Sequence, residues 1–222
     1  MICIDKKDQI NQKHRDQGVV ILDPNTTYID EEVMIASSVI IYPNCVIEGN
    51  TTIKQGAIIG ANSRLLNAVI GERTHIESSW IINSSVGDDT VIGPYAHIRE
   101  FCEIGNRVRI GNFVEMKKTN FGDLSRCAHL SYLGDCEVGS DVNIGCGVVT
   151  VNYDGKHKYK TVIGNQAFIG SNANLIAPIH IGDCSVVAAG STVNKDVPAN
   201  DMGIARARQT NIEGYGKKYI EK

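Results

Sequence analysis

Aliphatic residues recur at every sixth position along most of the chain. They form three series: Ile29, Ile35, Ile41, Ile47, Ile53 and Ile59; then Val86, Ile92, Ile98, Ile104, Ile110 and Met116; then Ile163, Ile169, Leu175, Ile181, Val187 and Val193. A helix would need apolar residues about 3.6 positions apart, and a half-buried strand would need them at every second position. An ordinary β-sandwich would show a spacing of six residues only by chance, and three separate series argue against that interpretation. A fixed repeat of six residues indicates a parallel β-helix.

The repeat is explained by a prism with three flat faces. Each group of six residues supplies one short strand and one corner, and its branched side chain points inward to stack on its equivalent in the next coil. Burying each such side chain contributes about 1.5–3 kcal/mol. A glycine after the aliphatic residue, as in Ile92-Gly93 and Ile110-Gly111, permits the unusual backbone angles of a corner. We therefore predict an all-β chain in which each coil contacts only its neighbours.

The pattern divides the chain into three segments. We predict an N-terminal extension over 1–22, with a short helix up to about Gln17, a β-helix domain over 23–198, and a basic C-terminal arm over 199–222. The run NYDGKHKYK (152–160) is polar and contains Asp154-Gly155, so it is predicted to loop out of the prism. Loops that project from a rigid scaffold often carry function.

Composition narrows the class of protein. The 222 residues carry a formal net charge of -3, which argues against nucleic-acid binding as the main role. No stretch approaches the roughly 18 apolar residues needed to cross a membrane, and the polar N-terminus does not resemble a secretory signal. The seven cysteines include no CxxC pair, so they fit free thiols in a reducing compartment. We expect a cytoplasmic protein, and no metal site is evident.

Several longer motifs stand in a fixed order after the first coils. They are GPYAHIRE (93–100), RIGNFVEMKK (109–118), AHLSYLGDCEVG (128–139), VNIGCG (142–147), NYDGKHKYKTVIG (152–164), FIGSN (168–172) and IARARQ (204–209). Together they closely resemble the acetyltransferase half of the bacterial bifunctional N-acetylglucosamine-1-phosphate uridyltransferase/glucosamine-1-phosphate N-acetyltransferase. The resemblance covers about Ile10 to Lys218. Nothing in the chain matches the nucleotidyltransferase domain of that family, so uridyltransferase activity is not expected from this chain.

The resemblance implies properties that the repeat alone does not. It implies a left-handed coil, a homotrimer with sites at the subunit interfaces, and acetyl-CoA as co-substrate. The implied reaction transfers acetyl to the 2-amine of glucosamine-1-phosphate and serves UDP-N-acetylglucosamine synthesis. The catalytic residues it implies are His129, Ser171 and Asn152. The substrate-binding residues are Arg99, Glu115, Lys117, Tyr132, Asn143 and Lys158. The residues implied to contact the acetyl-CoA are Cys146, Tyr153, Ser171, Ala189 and Arg206.

The chemistry of these side chains suits the implied roles. Arginine and lysine bind phosphate, and a histidine with a pKa of about 6.5 suits the removal of a proton at neutral pH. A hydroxyl such as that of Ser171 helps to stabilise an oxyanion. The default interpretation of a lysine is solvated surface charge, and that of a lone histidine is a structural role. We apply the second default to all the histidines except His129.

Two residues depart from the family pattern. Cys146 stands where alanine is usual, beside the expected acetyl site. Glu100 stands where proline is usual, next to Arg99, and a carboxylate there is expected to weaken phosphate affinity. Two alternatives therefore stay open. One is the same fold and donor with another amino sugar as acceptor, and the other is a non-catalytic trimeric scaffold.

Overall fold

The computed structural model describes residues 6–220, which form stacked coils built from three parallel sheets. Consecutive strands of the chain fall in different sheets, and strands of neighbouring coils pair in parallel, as Ile29 does with Ile47. Paired strands are three places apart along the chain, except that Val186–Val187 pairs with Met202–Gly203 two places later. The chain therefore visits all three sheets once in every coil. The predicted fold class, a parallel β-helix of hexapeptide repeats, is confirmed. Its left-handedness stays an implication of the resemblance.

The strands are two to four residues long. Sheet 1 contains Val20–Ile21, Ile40–Ile41, Ile58–Ile59, His75–Ile76, Val91–Ile92, Arg109–Asn112, Arg126–His129, Asn143–Ile144, Phe168–Ile169, Val186–Val187 and Met202–Gly203. Sheet 2 contains Tyr28–Ile29, Val46–Glu48, Arg64–Leu66, Trp80–Ile82, His97–Arg99, Glu115–Lys117, Tyr132–Gly134, Val149–Val151, Asn174–Ile176 and Thr192–Val193. Sheet 3 contains Met34–Ile35, Thr52–Ile53, Val69–Ile70, Ser85–Val86, Glu103–Ile104, Asn120–Phe121, Cys136–Val138, Thr161–Ile163 and Ile179–Ile181.

The core is the stack of inward-pointing aliphatic residues that the spacing of six predicts. Every member of the three series is buried. The paired residues Ile29 and Ile47 are separated by three full repeats of six residues. Leu65 and Ile81 are also paired, but fewer residues than three full repeats separate them. The first slip in the series therefore reflects coils with shortened corners. They leave the interior stack continuous because each inward residue still meets its equivalent.

Buried threonine and serine residues close several corners. Thr90 is fully buried, and its hydroxyl donates to the carbonyl of Gly105 at 2.9 Å and accepts from the backbone N–H of Val108 at 3.1 Å. Buried polar groups need such partners, because an unpaired one costs about 1–3 kcal/mol. The hydroxyl thus satisfies backbone groups that the turn takes out of the sheets.

Both ends of the prism are extended by additional elements. The helix Lys7–Asp16, which the sequence predicts, packs against the first coil, where the Asn11 amide donates to the carbonyls of Pro24 and Thr27. Strand pairing crosses both predicted domain boundaries. Val20–Ile21 of the predicted N-terminal extension pairs with Ile40–Ile41, and Met202–Gly203 of the predicted C-terminal arm pairs with Val186–Val187. The division into three segments itself stays a prediction. The 3₁₀-helix Tyr215–Tyr219 is exposed, and none of the helices within residues 6–220 is long and apolar enough to span a membrane.

Candidate active site

The segment 152–160 leaves the prism, as the sequence predicts. It lies in an enlarged coil, since Thr150 pairs with Leu175, well beyond the position that three repeats would reach. The Asp154 carboxylate accepts the backbone N–H groups of His157 and Lys156, each at 2.7 Å, and these hydrogen bonds lower the pKa of Asp154. The segment is therefore an ordered turn, and it holds Lys158 beside the prism.

Three cations meet where this turn approaches sheet 2. Arg99 and Lys117 occupy paired positions on neighbouring strands. Lys158 lies next to Lys117. The contact between the two amino groups lowers the pKa of Lys158, and the positive charge of Lys117 lowers it further. The structure thus brings together the three residues expected to bind phosphate. We call Arg99, Lys117 and Lys158 the cation cluster.

Two carboxylates contact this cluster. Glu115 accepts hydrogen bonds from the Arg99 guanidinium, with distances of 2.7 Å to Nε and 2.6 Å to Nη2. Glu100 contacts two cations, with Oε1 2.6 Å from Arg99 Nη1 and Oε2 3.2 Å from Lys117 Nζ. Burial acts to raise the pKa of Glu100, but the hydrogen bond and charge of Lys117 and the charge of Arg99 lower it overall. Glu100 is therefore ionised at neutral pH.

Tyr132 and Asn152 come together beside the cluster. Tyr132 pairs with Glu115 on sheet 2, and Asn152 follows the strand Val149–Val151 of the same sheet. A Cβ atom at Gly134 would clash with the Tyr132 hydroxyl and lie 2.7 Å from Asn152 Nδ2, so both side chains converge over this glycine. The Asn152 amide donates to Asp135 at 2.5 Å, which orients it. Sequence reasoning missed Gly134 and Asp135, although both lie within the motif AHLSYLGDCEVG.

His129 lies at the corner between sheets 1 and 2 and is exposed. It pairs with Asn112 of the preceding coil, and its Nδ1 lies 2.6 Å from Asn112 Oδ1. Because an amide oxygen only accepts, Nδ1 is the donor in this contact, which in the neutral imidazole leaves the lone pair on Nε2. This tautomer suits a general base that acts through Nε2. Sequence reasoning missed Asn112, although it lies within the motif RIGNFVEMKK.

The same corner recurs in the following coils, where it contains other residues predicted to belong to the active site. From His129 onwards, the residue after each member donates its backbone N–H to the carbonyl of the member in the preceding coil, with N–O distances from 2.7 to 3.4 Å. The members in order are Asn112, His129, Cys146, Ser171 and Ala189. We call these five residues the corner column. Residues that are far apart in the sequence therefore form one line along the prism, with the candidate base near one end.

Two predicted residues lie outside these groups. Arg206 follows the last strand, and its Cδ lies 3.9 Å from where a Cβ atom at Gly190 would stand, so it sits beside the end of the corner column. Asn143 lies on sheet 1, where it pairs with Arg126 and Phe168. It is therefore not brought into the cation cluster of its own chain, which lies on sheet 2. Tyr153 is exposed and donates its hydroxyl to the carbonyl of Gly155 at 2.7 Å, within the turn.

An open cleft runs along sheet 1 next to the candidate base. Its volume is about 680 Å³, and its lining includes Pro94, Arg109, Asn112, Arg126 and His129. The His129 imidazole is therefore accessible from solvent on the side away from the cation cluster.

The stacked coils and their repeated corner define a parallel β-helix of the hexapeptide-repeat class. A family model described as bacterial transferase hexapeptide (six repeats) matches residues 160–195, and one described as the GMPPB C-terminal domain matches residues 29–121. The chain is 52% identical over 207 residues to the bifunctional protein GlmU of Clostridium botulinum (strain Langeland / NCTC 10281 / Type F), a match that covers 93% of this chain and 45% of that protein. Its identity to GlmU of Shouchella clausii is 50% over 212 residues, covering 96% and 47%. The chain is thus homologous to part of GlmU and spans about half the length of the curated relatives it matches, and the resemblance seen in the sequence is confirmed.

Solved structures share the fold at low sequence identity. The UDP-N-acetylglucosamine acyltransferase of Francisella novicida superposes with a TM-score of 0.61 at 22% identity, covering 91% of this chain and 74% of that one. The corresponding protein of Campylobacter jejuni gives a TM-score of 0.54 at 14% identity, covering 85% and 70%. These likenesses support the β-helix architecture alone.

Proposed function

We propose that the chain transfers the acetyl group of acetyl-CoA to the 2-amine of glucosamine-1-phosphate, giving N-acetylglucosamine-1-phosphate. One observation carries this proposal. A single coil holds His129 at the corner and, three residues later, Tyr132 on the sheet that bears the cation cluster. A base and an anion site thus lie one short strand apart, which suits a small acceptor with an amine and a phosphate. The homology to GlmU supports the same function.

The acceptor would bind through its phosphate first. The cation cluster offers a planar guanidinium, which can grip two phosphate oxygens, and two ammonium groups as point charges. Glu115 orients the guanidinium through two short hydrogen bonds. Glu115 and the Tyr132 hydroxyl would then bind sugar hydroxyls.

The chemical step is a direct transfer between the two bound substrates. The amine nitrogen attacks the thioester carbonyl carbon while His129 Nε2 takes the proton that the amine loses. The tetrahedral oxyanion is held by the Ser171 hydroxyl and by backbone N–H groups of the corner. When the intermediate collapses, the C–S bond breaks and coenzyme A leaves with the proton from the imidazolium.

A covalent acetyl-cysteine is not part of the proposal. Burial raises the pKa of the Cys127 thiol to about 12 and raises that of Cys136 further. A thiol must ionise to act as a nucleophile, so neither is reactive at neutral pH. Cys146 belongs to the corner column and is assigned a contact with the acetyl-CoA.

The donor would lie along the corner column. Asn152 and Tyr153 are assigned to the acetyl group and the pantetheine arm, while Ala189 and Arg206 at the far end of the column are assigned to the nucleotide portion. Asn143 projects from a different sheet, so it would serve a neighbouring subunit of a homotrimer. This arrangement supports sites at subunit interfaces. Free thiols at the described cysteines support a cytoplasmic location.

The test is product detection by mass spectrometry after incubation with acetyl-CoA and glucosamine-1-phosphate. We expect product with the 1-phosphate, little with glucosamine-6-phosphate, and a loss of about 10²–10⁴-fold in rate for His129→Ala. His180→Ala is the matched control, because His180 is also an exposed histidine on a β-strand but lies on sheet 3. If unphosphorylated glucosamine gave as much product as glucosamine-1-phosphate, the alternative of another amino sugar as acceptor would be favoured. Binding of acetyl-CoA without any acetyl transfer would select the scaffold alternative.

A further inference from the structure

The Glu100 carboxylate occupies the middle of the cation cluster. One of its oxygens contacts Arg99 Nη1 at 2.6 Å and the other contacts Lys117 Nζ at 3.2 Å. We propose that Glu100 is a built-in competitor for the anion site, which neutralises Arg99 and Lys117 in the free protein and is displaced by the phosphate of the acceptor. The identity of the acceptor rests on the proposed function, whereas the competition with an anion does not.

The geometry makes the two anions mutually exclusive. A guanidinium and an ammonium bind carboxylate and phosphate oxygens at the same short distances, so Glu100 and a phosphate would use the same N–H donors. The Glu100 side chain is 40% exposed, whereas Lys117 is only 14% exposed. The carboxylate is therefore the more exposed partner of this ion pair and is open to displacement by an anion from solvent.

The backbone at this corner allows the carboxylate to leave without refolding. Glu100 and Phe101 have φ angles of 53° and 66°, and the Phe101 N–H donates to the Asn83 carbonyl at 2.8 Å. The corner is thus anchored to the preceding coil through the backbone. A change of side-chain rotamer alone removes the Glu100 carboxylate from Arg99 and Lys117.

The local charge balance favours displacement by a dianion. The three cations of the cluster face two carboxylates, Glu100 and Glu115, so their sum is +1 with Glu100 in place and +2 when it has moved away. Lys118 and Asp135, which also act on the cluster, cancel each other. A phosphate monoester carries about -1.5 to -2 at neutral pH and matches the exposed charge. An amino sugar without a phosphate has no anionic group that could displace Glu100, so this residue sharpens selection for phosphorylated acceptors.

The direct test is binding of inorganic phosphate and of glucosamine-1-phosphate, measured by titration calorimetry at fixed ionic strength. Glu100→Gln keeps the shape of the side chain and removes its charge, and we expect both ligands to bind about three- to tenfold more tightly. Glu103→Gln is the matched control, since Glu103 is an exposed glutamate on sheet 3. It should change binding by less than about twofold. Unchanged or weaker binding to Glu100→Gln would overturn the proposal.

A second variant guards against a local folding defect. Asparagine tolerates a positive φ better than most residues, so Glu100→Asn should fold and also bind phosphate more tightly. Thermal unfolding followed by circular dichroism confirms that each variant is folded before binding is compared.

Kinetics separate this inference from the proposed function. Glu100→Gln should lower KM for glucosamine-1-phosphate by a factor similar to the change in binding and leave KM for acetyl-CoA unchanged. A change confined to acetyl-CoA would overturn the proposal. If the unaltered protein shows no acetyl transfer but Glu100→Gln still binds inorganic phosphate more tightly, the proposed function fails and the competitor role of Glu100 stands.

Discussion

In the coils between Tyr28 and Ile82, outward-facing polar residues mostly satisfy one another. The Asn67 amide donates to Asn83 in the next coil at 2.9 Å, and Arg64 pairs with its neighbour Glu48 at 2.8 Å. In the coils between His97 and Ile176, three cations crowd around one point and a histidine stands exposed at a corner. Both regions share the same buried aliphatic stack. The contrast teaches that the interior repeat builds the scaffold. Excess positive charge on the outside of the prism distinguishes the candidate active site from an ordinary corner.

The largest expected effect tests whether the two interiors are equivalent. Ile59→Ala in the early coils and Leu133→Ala beside the candidate site each remove a fully buried side chain. Each should lower the free energy of unfolding by about 2–5 kcal/mol, measured by urea denaturation. A much smaller cost at Leu133 would mean that the functional coils are more loosely packed, and would break the comparison.

The next effect contrasts two lysines on the outside of the prism. Lys117→Ala removes a charge-assisted contact with the acceptor phosphate, which is worth about 1.5–3 kcal/mol, so KM for glucosamine-1-phosphate should rise about 10- to 100-fold. Lys54→Ala removes an exposed lysine of an early coil, 3.9 Å from Asp88, and should leave KM unchanged. Steady-state kinetics measures KM for both variants. Similar KM values would contradict the assignment of the cation cluster to phosphate binding.

A smaller effect tests the role of Asn112 as a positioning residue. Asn112→Ala removes the hydrogen bond that holds His129 Nδ1, so kcat/KM should fall about two- to tenfold. Asn112→Asp replaces the amide by a carboxylate, and an opposite charge beside an imidazole favours its charged form. Because His129 must be neutral to accept a proton, the acid limb of the pH–rate profile should move to higher pH. An unshifted profile in Asn112→Asp would show that Asn112 has only a structural role.

Different parts of the molecule are predictable from the sequence to different extents. The buried series from Ile29 to Val193 is predictable because most inward positions repeat the same requirement, an aliphatic side chain. The outer boundaries are not, because a strand of two residues such as Met202–Gly203 has too little pattern to be recognised. The loop at 152–160 is predictable because its polar residues interrupt the aliphatic repeat.

The candidate site is only partly predictable, because its contacts join different coils. The resemblance names His129 and Lys117, but it does not reveal that Glu100 lies between Arg99 and Lys117. The step along the chain from Asn112 to its partner His129 is slightly shorter than the step across three full repeats, such as that from Ile29 to Ile47. Such a shift in register changes which side chain faces His129, and the sequence pattern alone does not determine that register.

The most direct test of the central claim is a crystal structure of the protein with glucosamine-1-phosphate and coenzyme A. We predict that the phosphate lies on Arg99, Lys117 and Lys158 with the Glu100 carboxylate turned away. The 2-amine should lie within about 2.6–3.2 Å of His129 Nε2, directly or through one water. A sugar bound with its phosphate elsewhere and its amine far from His129 would contradict the account.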